Sequence, residues 1–156
     1  MAPVVATREL ALKRGVVRCL LCAFASFGIY CFYWFYQYRR RVSAELGRSD
    51  DAGLHTAGLV VPFLNYYLTY LLWRDIGVAR RRLGLSDIPA GPYVLASVVV
   101  APVICGVMAA RLNEYWDRRT GGTATDAPFT FGEGMATLLP PAVFVALVAL
   151  VVIALA

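Results

Sequence analysis

Charge leaves long gaps in this chain. Twenty residues separate Arg18 from Arg39 without an Asp, Glu, Lys or Arg among them. A further 22 run from Ala52 to Trp73, 23 from Ile88 to Ala110, and 23 from Gly134 to Ala156. About 20 residues of helix cross a hydrocarbon core of roughly 30 Å. Lipid offers an unpaired amide no partner, so a block that crosses is helical. The blocks lack the alternation over about ten residues that marks a barrel strand. The expected fold is therefore all-α, a polytopic transmembrane helical bundle with four spans in one membrane domain. The spans fall near residues 18–38, 54–74, 89–111 and 134–156. Of 156 residues, 60% are hydrophobic and 16% charged. A soluble domain carries about 25% charge, so composition excludes an ordinary soluble globule, and a disordered chain as well.

The blocks are not alike. The fourth has no polar side chain after Thr137 and reads as a lipid-facing span, with Pro140 and Pro141 expected to kink its first turns. The third carries Pro92 and Pro102. The second holds His55, Thr56, Pro62, Asn65 and Thr69, and either spans with its polar side inward or lies partly at the interface. The N-terminal segment mimics a signal peptide, but its apolar run continues too far, and a retained first helix is expected. The linkers 39–51 and 74–87 are Arg-rich, whereas 117–133 is small, polar and expected to be mobile. Within it, Thr130 and Glu133 have capping-box spacing for the last helix.

Net charge is +5, from 15 Lys and Arg against 10 Asp and Glu. The basic residues cluster beside apolar blocks, which points to anionic lipid headgroups and away from nucleic acid. Four spans would place eight Lys and Arg on one side of the membrane (Arg8, Lys13, Arg14, Arg18, Arg74, Arg80, Arg81, Arg82) and seven on the other. That split gives no orientation under the positive-inside rule. The chain then inserts either way round, or takes its orientation from another signal, or one block fails to cross. In the last case Gly28, central in block one, would permit a re-entrant turn; its other role would be close helix packing. Four spans with both termini inside is the expectation.

The densest local signal is residues 27–41, FGIYCFYWFYQYRRR. Eight of the twelve residues from Phe27 to Tyr38 are aromatic, and Arg39, Arg40 and Arg41 follow. Tyr and Trp favour the headgroup level and Arg pairs with phosphate, so Tyr30, Tyr33, Trp34 and Arg39 to Arg41 read as an interfacial lipid or partner anchor. Trp73 and Trp116 read the same way. Ser26-Phe27-Gly28-Ile29-Tyr30 followed by Tyr33-Trp34 resembles the Gly-Ile-Tyr…Tyr-Trp signature of the bacterial membrane family called domain of unknown function 4234. Lys13-Arg14 before it, and Arg111-Leu112-Asn113-Glu114 after block three, also fit that family. The resemblance covers roughly residues 13–117. Ser26 stands where the family has Thr, and Glu45 comes later than the family's Glu. The resemblance implies an integral membrane protein and carries no activity with it.

Other motifs are modest. Asn65 and Thr69 share a helix face and read as interhelical hydrogen-bonders or the lining of a solute path. Asn113 reads as a hydrogen-bonder too, and Gly28 and Gly106 as packing positions. A Trp–Arg–Leu-Gly order recurs as Trp34…Arg39-Arg40-Arg41…Leu46-Gly47 and Trp73…Arg80-Arg81-Arg82-Leu83-Gly84. Cys19, Cys22, Cys31 and Cys105 lie inside apolar blocks and read as small packing residues. Cys19 and Cys22 have CxxC spacing without further ligands, so no metal site is expected. No ionisable residue sits near the middle of a block, and no hydrolase, P-loop or dinucleotide motif occurs. The expectation is a non-catalytic, multi-pass bacterial inner-membrane protein without a cofactor. It would serve as an accessory or scaffold subunit whose partners are membrane lipids, with a membrane-protein complex or a homo-oligomer as further candidates and nucleic acid excluded. The alternative is a small oligomeric transporter or channel, marked by a cavity lined by Asn65, Thr69 and tyrosines.

Overall fold

The computed structural model describes residues 12–49 and 51–155. These residues are all-helical apart from one two-residue ladder. In chain order they form β1 (Leu12–Lys13), α1 (Val16–Ala25), α2 (Tyr30–Glu45), α3 (Ala52–Gly58), α4 (Leu64–Arg82), α5 (Ala90–Thr120), β2 (Thr125–Asp126) and α6 (Phe131–Leu155). Two helices, Ala90–Thr120 and Phe131–Ala154, are long and apolar enough to cross a membrane by length and composition.

Block one is not a single rod. The chain breaks at Ser26–Ile29, where Phe27 has φ 52° and Gly28 φ 87°. A Cβ on Gly28 would meet nothing within 4 Å, so this glycine serves the turn and not close packing. Ser26 caps the reversal, its Oγ accepting from the Tyr30 N–H at 2.9 Å. The two arms return alongside each other, with Arg41 Nη1 donating to Leu12 O at 3.2 Å.

Block two breaks in the same way. Asp51 caps α3 by accepting from the Gly53 and Leu54 N–H groups at 2.9 and 3.1 Å. The chain turns at residues 59–63 around Pro62, with Phe63 at φ 66°. α4 then runs parallel to α2. Asn65 lies near Gly28 and Cys31, and Asp75 meets Arg39 at 2.7 Å.

Block three reverses inside α5. Val100 leaves helical geometry (φ −134°, ψ 48°), two residues before Pro102. Pro102 has no N–H to continue the ladder, and it restricts the residue before it. The first arm climbs against α4: Tyr93 stacks on Trp73 with centroids 4.4 Å apart and planes 19° apart. The second arm descends. Cys105 lies against Cys31 at 3.1 Å, Arg80 Nη1 donates to Arg111 O at 2.7 Å, and Arg119 pairs with Glu45 at 3.0 Å. On its other side α1 runs antiparallel to this arm. A Cβ on Gly106 would lie 2.9 Å from Leu20 Cδ2, so this glycine does serve close packing.

Four continuous spans are thus not what these blocks form. Three of the four double back, and their tips meet, because Gly28, Leu59, Val98 and Ala101 line one pocket. The opposite end is the charged base. α2 and α4 both finish there on a left-handed glycine, Gly47 (φ 69°) and Gly84 (φ 70°). Arg48 N–H bonds Ser43 O, and Leu85 N–H bonds Arg80 O. The recurring Trp–Arg–Leu-Gly order is this shared helix end.

Only α6 runs on. Its first turn lies at the base, Glu133 beside Arg14. Phe144 meets Phe27 at the tips with ring centroids 5.6 Å apart. The helix continues unbroken through Pro140 and Pro141 to Leu155. From Val145 to Ile153 its apolar side chains are exposed. The segment expected to be mobile is tied to the body. Leu12 and Lys13 pair in parallel with Thr125 and Asp126, and Ala127 N–H donates to Lys13 O at 2.7 Å.

Candidate functional site

Two features stand out, a buried ionic network at the base and a pocket between the tips. The network centres on Glu133, which is fully buried. Its Oε1 accepts from Arg18 Nε at 2.9 Å and from Tyr30 Oη at 2.9 Å, and its Oε2 pairs with Arg18 Nη2. Arg14, also buried, approaches Oε1 at 3.3 Å. Arg18 further donates to Ala127 O and Pro128 O at 2.8 and 3.0 Å. Asn113 completes the joint: its Oδ1 accepts from Arg14 N–H at 2.9 Å and its Nδ2 donates to Arg14 O at 2.7 Å. Burial pulls the Arg14 pKa down. Tyr33, Tyr30 and Glu133 outweigh that pull and hold it above the usual arginine value. Thr130 Oγ1 accepts from Glu133 N–H at 3.2 Å, as the capping-box spacing predicts. The Glu133 carboxylate is spent on the arginines instead of the return bond to the cap.

Two smaller hubs brace the base. Buried Asp75 takes Arg39 at 2.7 Å, Arg48 at 2.9 Å and Arg74 at 3.4 Å. Buried Arg80 donates to Ser86 O at 3.1 Å and Arg111 O at 2.7 Å, and pairs with Glu114 at 2.9 Å. Together the three hubs join the lower ends of all the long helices. They satisfy charge inside the protein, which is what buried ions require.

This placement corrects the anchor reading. Tyr30, Trp34, Arg39, Arg41, Trp73 and Trp116 are buried within the protein and do not face lipid. Tyr30, Trp34, Tyr38 and Val42 recur at a spacing of four and form the core stripe of α2. Trp116 packs edge-on to Tyr115. Arg40 alone of its triplet is exposed. Tyr33 is half-buried, its hydroxyl 2.7 Å from Thr130 Oγ1 and its ring 5.5 Å from the Arg14 guanidinium. Asn113 does bridge two elements, though its partner is the backbone of the N-terminal segment and not another helix.

The pocket lies between the tips and has a volume of about 330 Å³. Phe32, Trp34, Phe35 and Tyr66 supply aromatic wall, and Cys31 and Cys105 sit together on one side. Asn65 and Thr69 reach it from α4, as their shared face predicts. Neither side chain has a hydrogen-bond partner among the described residues. No charged residue lines it. Among the described residues no group of His, Cys, Asp and Glu could hold a metal ion.

Sequence reasoning missed the partnerships of Glu133, Asp75 and Arg80, and the meeting of Cys31 with Cys105. Glu133 left a signal as the third residue after a cap. Asp75 left one as the single acid among the arginines of residues 74–82. The cysteines, 74 residues apart in sequence, left none. Comparison with family models, curated proteins and solved structures finds no match to this chain.

Proposed function

We propose that this chain is an integral protein of a bacterial inner membrane, seated from one face by three half-depth hairpins and pinned by α6 as its full span. In this position it serves as an accessory or scaffold subunit. The supporting observation is that all three reversals lie at one apolar end. No Lys, Arg, Asp or Glu occurs between Arg18 and Arg39, between Asp51 and Arg74, or between Asp87 and Arg111. The exposed side chains of this end are Phe24, Phe27, Val60, Phe63 and Val99 and their like. The arms of α1, with 10 residues, rise about 15 Å, half of a hydrocarbon core. α6, with 25 residues, rises about 37 Å, enough for the whole.

The reading also resolves the charge stalemate. With three blocks doubling back, the N-terminal segment and the loops 39–51, 74–87 and 117–133 share one side. Among the described residues the count of Lys and Arg becomes 14 against none, and by the positive-inside rule the base of this reading faces the cytoplasm. The buried aromatic–Arg segment gives the scaffold a rigid base, and the bare surface of α6 offers lipid or a second transmembrane helix a place to pack. Membership of the family called domain of unknown function 4234 is part of this reading.

Single cysteines placed in the three loops test it. All three react with an impermeant thiol reagent from the same face of the membrane. Labelling of loop 74–87 from the face opposite the other two overturns the hairpin reading and restores four spans.

A further inference from the structure

The tip pocket has more chemistry than a scaffold needs. Its wall carries two thiols in contact, Cys105 Sγ lying 3.1 Å from Cys31 Sγ, about 1 Å beyond a disulfide bond. Asn65 and Thr69, four apart on α4, present an amide and a hydroxyl with no partner among the described residues. Both are half-buried and open to the pocket, so a ligand that accepts hydrogen bonds meets ready donors there. The absence of charge in the lining selects a neutral ligand. Exposed Phe32, Tyr66 and Val98 rim the mouth. The aromatic walls suit a flat ring. We propose that this pocket binds the ring of a membrane-soluble quinone, and that the Cys31–Cys105 dithiol reduces it.

The reaction balances within the pair. Both S–H bonds break and one S–S bond forms between Cys31 and Cys105. Two electrons and two protons pass to the quinone, and its two carbonyl oxygens become the hydroxyls of the quinol. Asn65 and Thr69 donate to a quinone carbonyl and hold the ring against the thiols; they are positioning residues. Closing the sulfur gap joins α2 to the descending arm of α5, so oxidation cross-links the first and third hairpins. The inference rests on the membrane reading only in that the mouth meets lipid.

The test uses full-length reduced protein in neutral detergent, without oxygen, and a fully substituted benzoquinone with a decyl tail, whose ring has no open carbon for thiol addition. One quinol forms per protein, and mass spectrometry finds Cys31 and Cys105 joined while Cys19 and Cys22 remain thiols. Cys105→Ser and Cys105→Ala each lose quinol formation while keeping the melting temperature within a few degrees. Asn65→Ala raises the half-saturating quinone concentration about tenfold at unchanged final yield, as expected for the loss of one hydrogen bond worth about 1.4 kcal/mol. Thiols that stay reduced in saturating quinone, or quinol formation that survives in both Cys105 variants, overturn the proposal. Because the protein is in detergent, quinol yield and one-sided loop labelling fail independently.

Discussion

The base and the tips of this molecule solve opposite problems with the same backbone reversal. At the base, helices end on left-handed glycines and their charged side chains turn inward, Glu133, Asp75 and Arg80 each buried and multiply paired. At the tips, two of the three reversals rely on a positive φ, and large apolar side chains turn outward. Phe63 and Val99 are both 82% exposed. A water-soluble protein does the reverse at its surface. On the proposed membrane reading the contrast follows from solvent: ions are buried at the end that meets water, and apolar side chains are exposed at the end that meets hydrocarbon.

Breaking the base carries the largest expected effect. Glu133→Ala leaves Arg14 buried beside Arg18 with no counter-charge. Removing one partner of a buried ion pair costs about 3–5 kcal/mol. The thermal unfolding midpoint of the detergent-solubilised protein falls steeply, and proteolysis within residues 117–133 rises as α6 detaches from α1. Unchanged unfolding would mean that α6 docks without this joint. The tips answer to a different perturbation. Val99→Arg places a charge where the hairpin reading puts hydrocarbon, at a cost of about 2.5–3.5 kcal/mol if it lies at the membrane centre. Membrane insertion drops, while the midpoint in detergent, where the tip meets no bilayer, changes little. An arginine tolerated at Val99 in membranes would place that tip in water and break the comparison.

How much of this was legible in the sequence depends on what each residue interacts with. The all-helical class and the apolar blocks are local properties, and they hold. The last helix starts at Thr130 and Glu133 because a cap is made within one turn. The reversals were half legible. Gly28, Pro62 and Pro102 mark them, but a glycine or proline in an apolar block is equally a packing position or a kink. What decides between these is whether the two arms find each other, and that depends on contacts such as Arg41 with Leu12 and Arg80 with Arg111. The aromatic–Arg segment misled for the same reason. Tyr30, Trp34 and Tyr38 have the composition of an interfacial belt, yet their spacing of four is that of a core stripe. The hairpin made by Gly28 folds that stripe into the core, where Tyr30 meets Glu133 of α6 and Trp34 lies beside Cys105 of α5.

Two aspartates sharpen the contrast at its smallest scale. Asp75 and Asp87 each accept from an arginine, at 2.7 Å from Arg39 and 2.5 Å from Arg81. Asp75 is shielded at the heart of the base, whereas Asp87 and Arg81 are both more than half exposed. The Arg81 guanidinium, with the Ile88 N–H, holds the Asp87 carboxyl below its usual value. A carboxyl depressed by folding contributes stability above its unfolded pKa, and the contribution is lost as pH falls through its folded pKa. Water and salt screen an exposed pair, so the contribution is small. Asp87→Asn therefore lowers the unfolding midpoint only slightly at neutral pH and flattens the acid side of its pH profile by the same small amount. Asp75→Asn lowers the midpoint at neutral pH, because buried Arg39 loses the Asp75 carboxylate along with Arg48 and Arg74. Equal effects of the two substitutions would mean that water reaches Asp75, and the base would then be an ordinary wet surface.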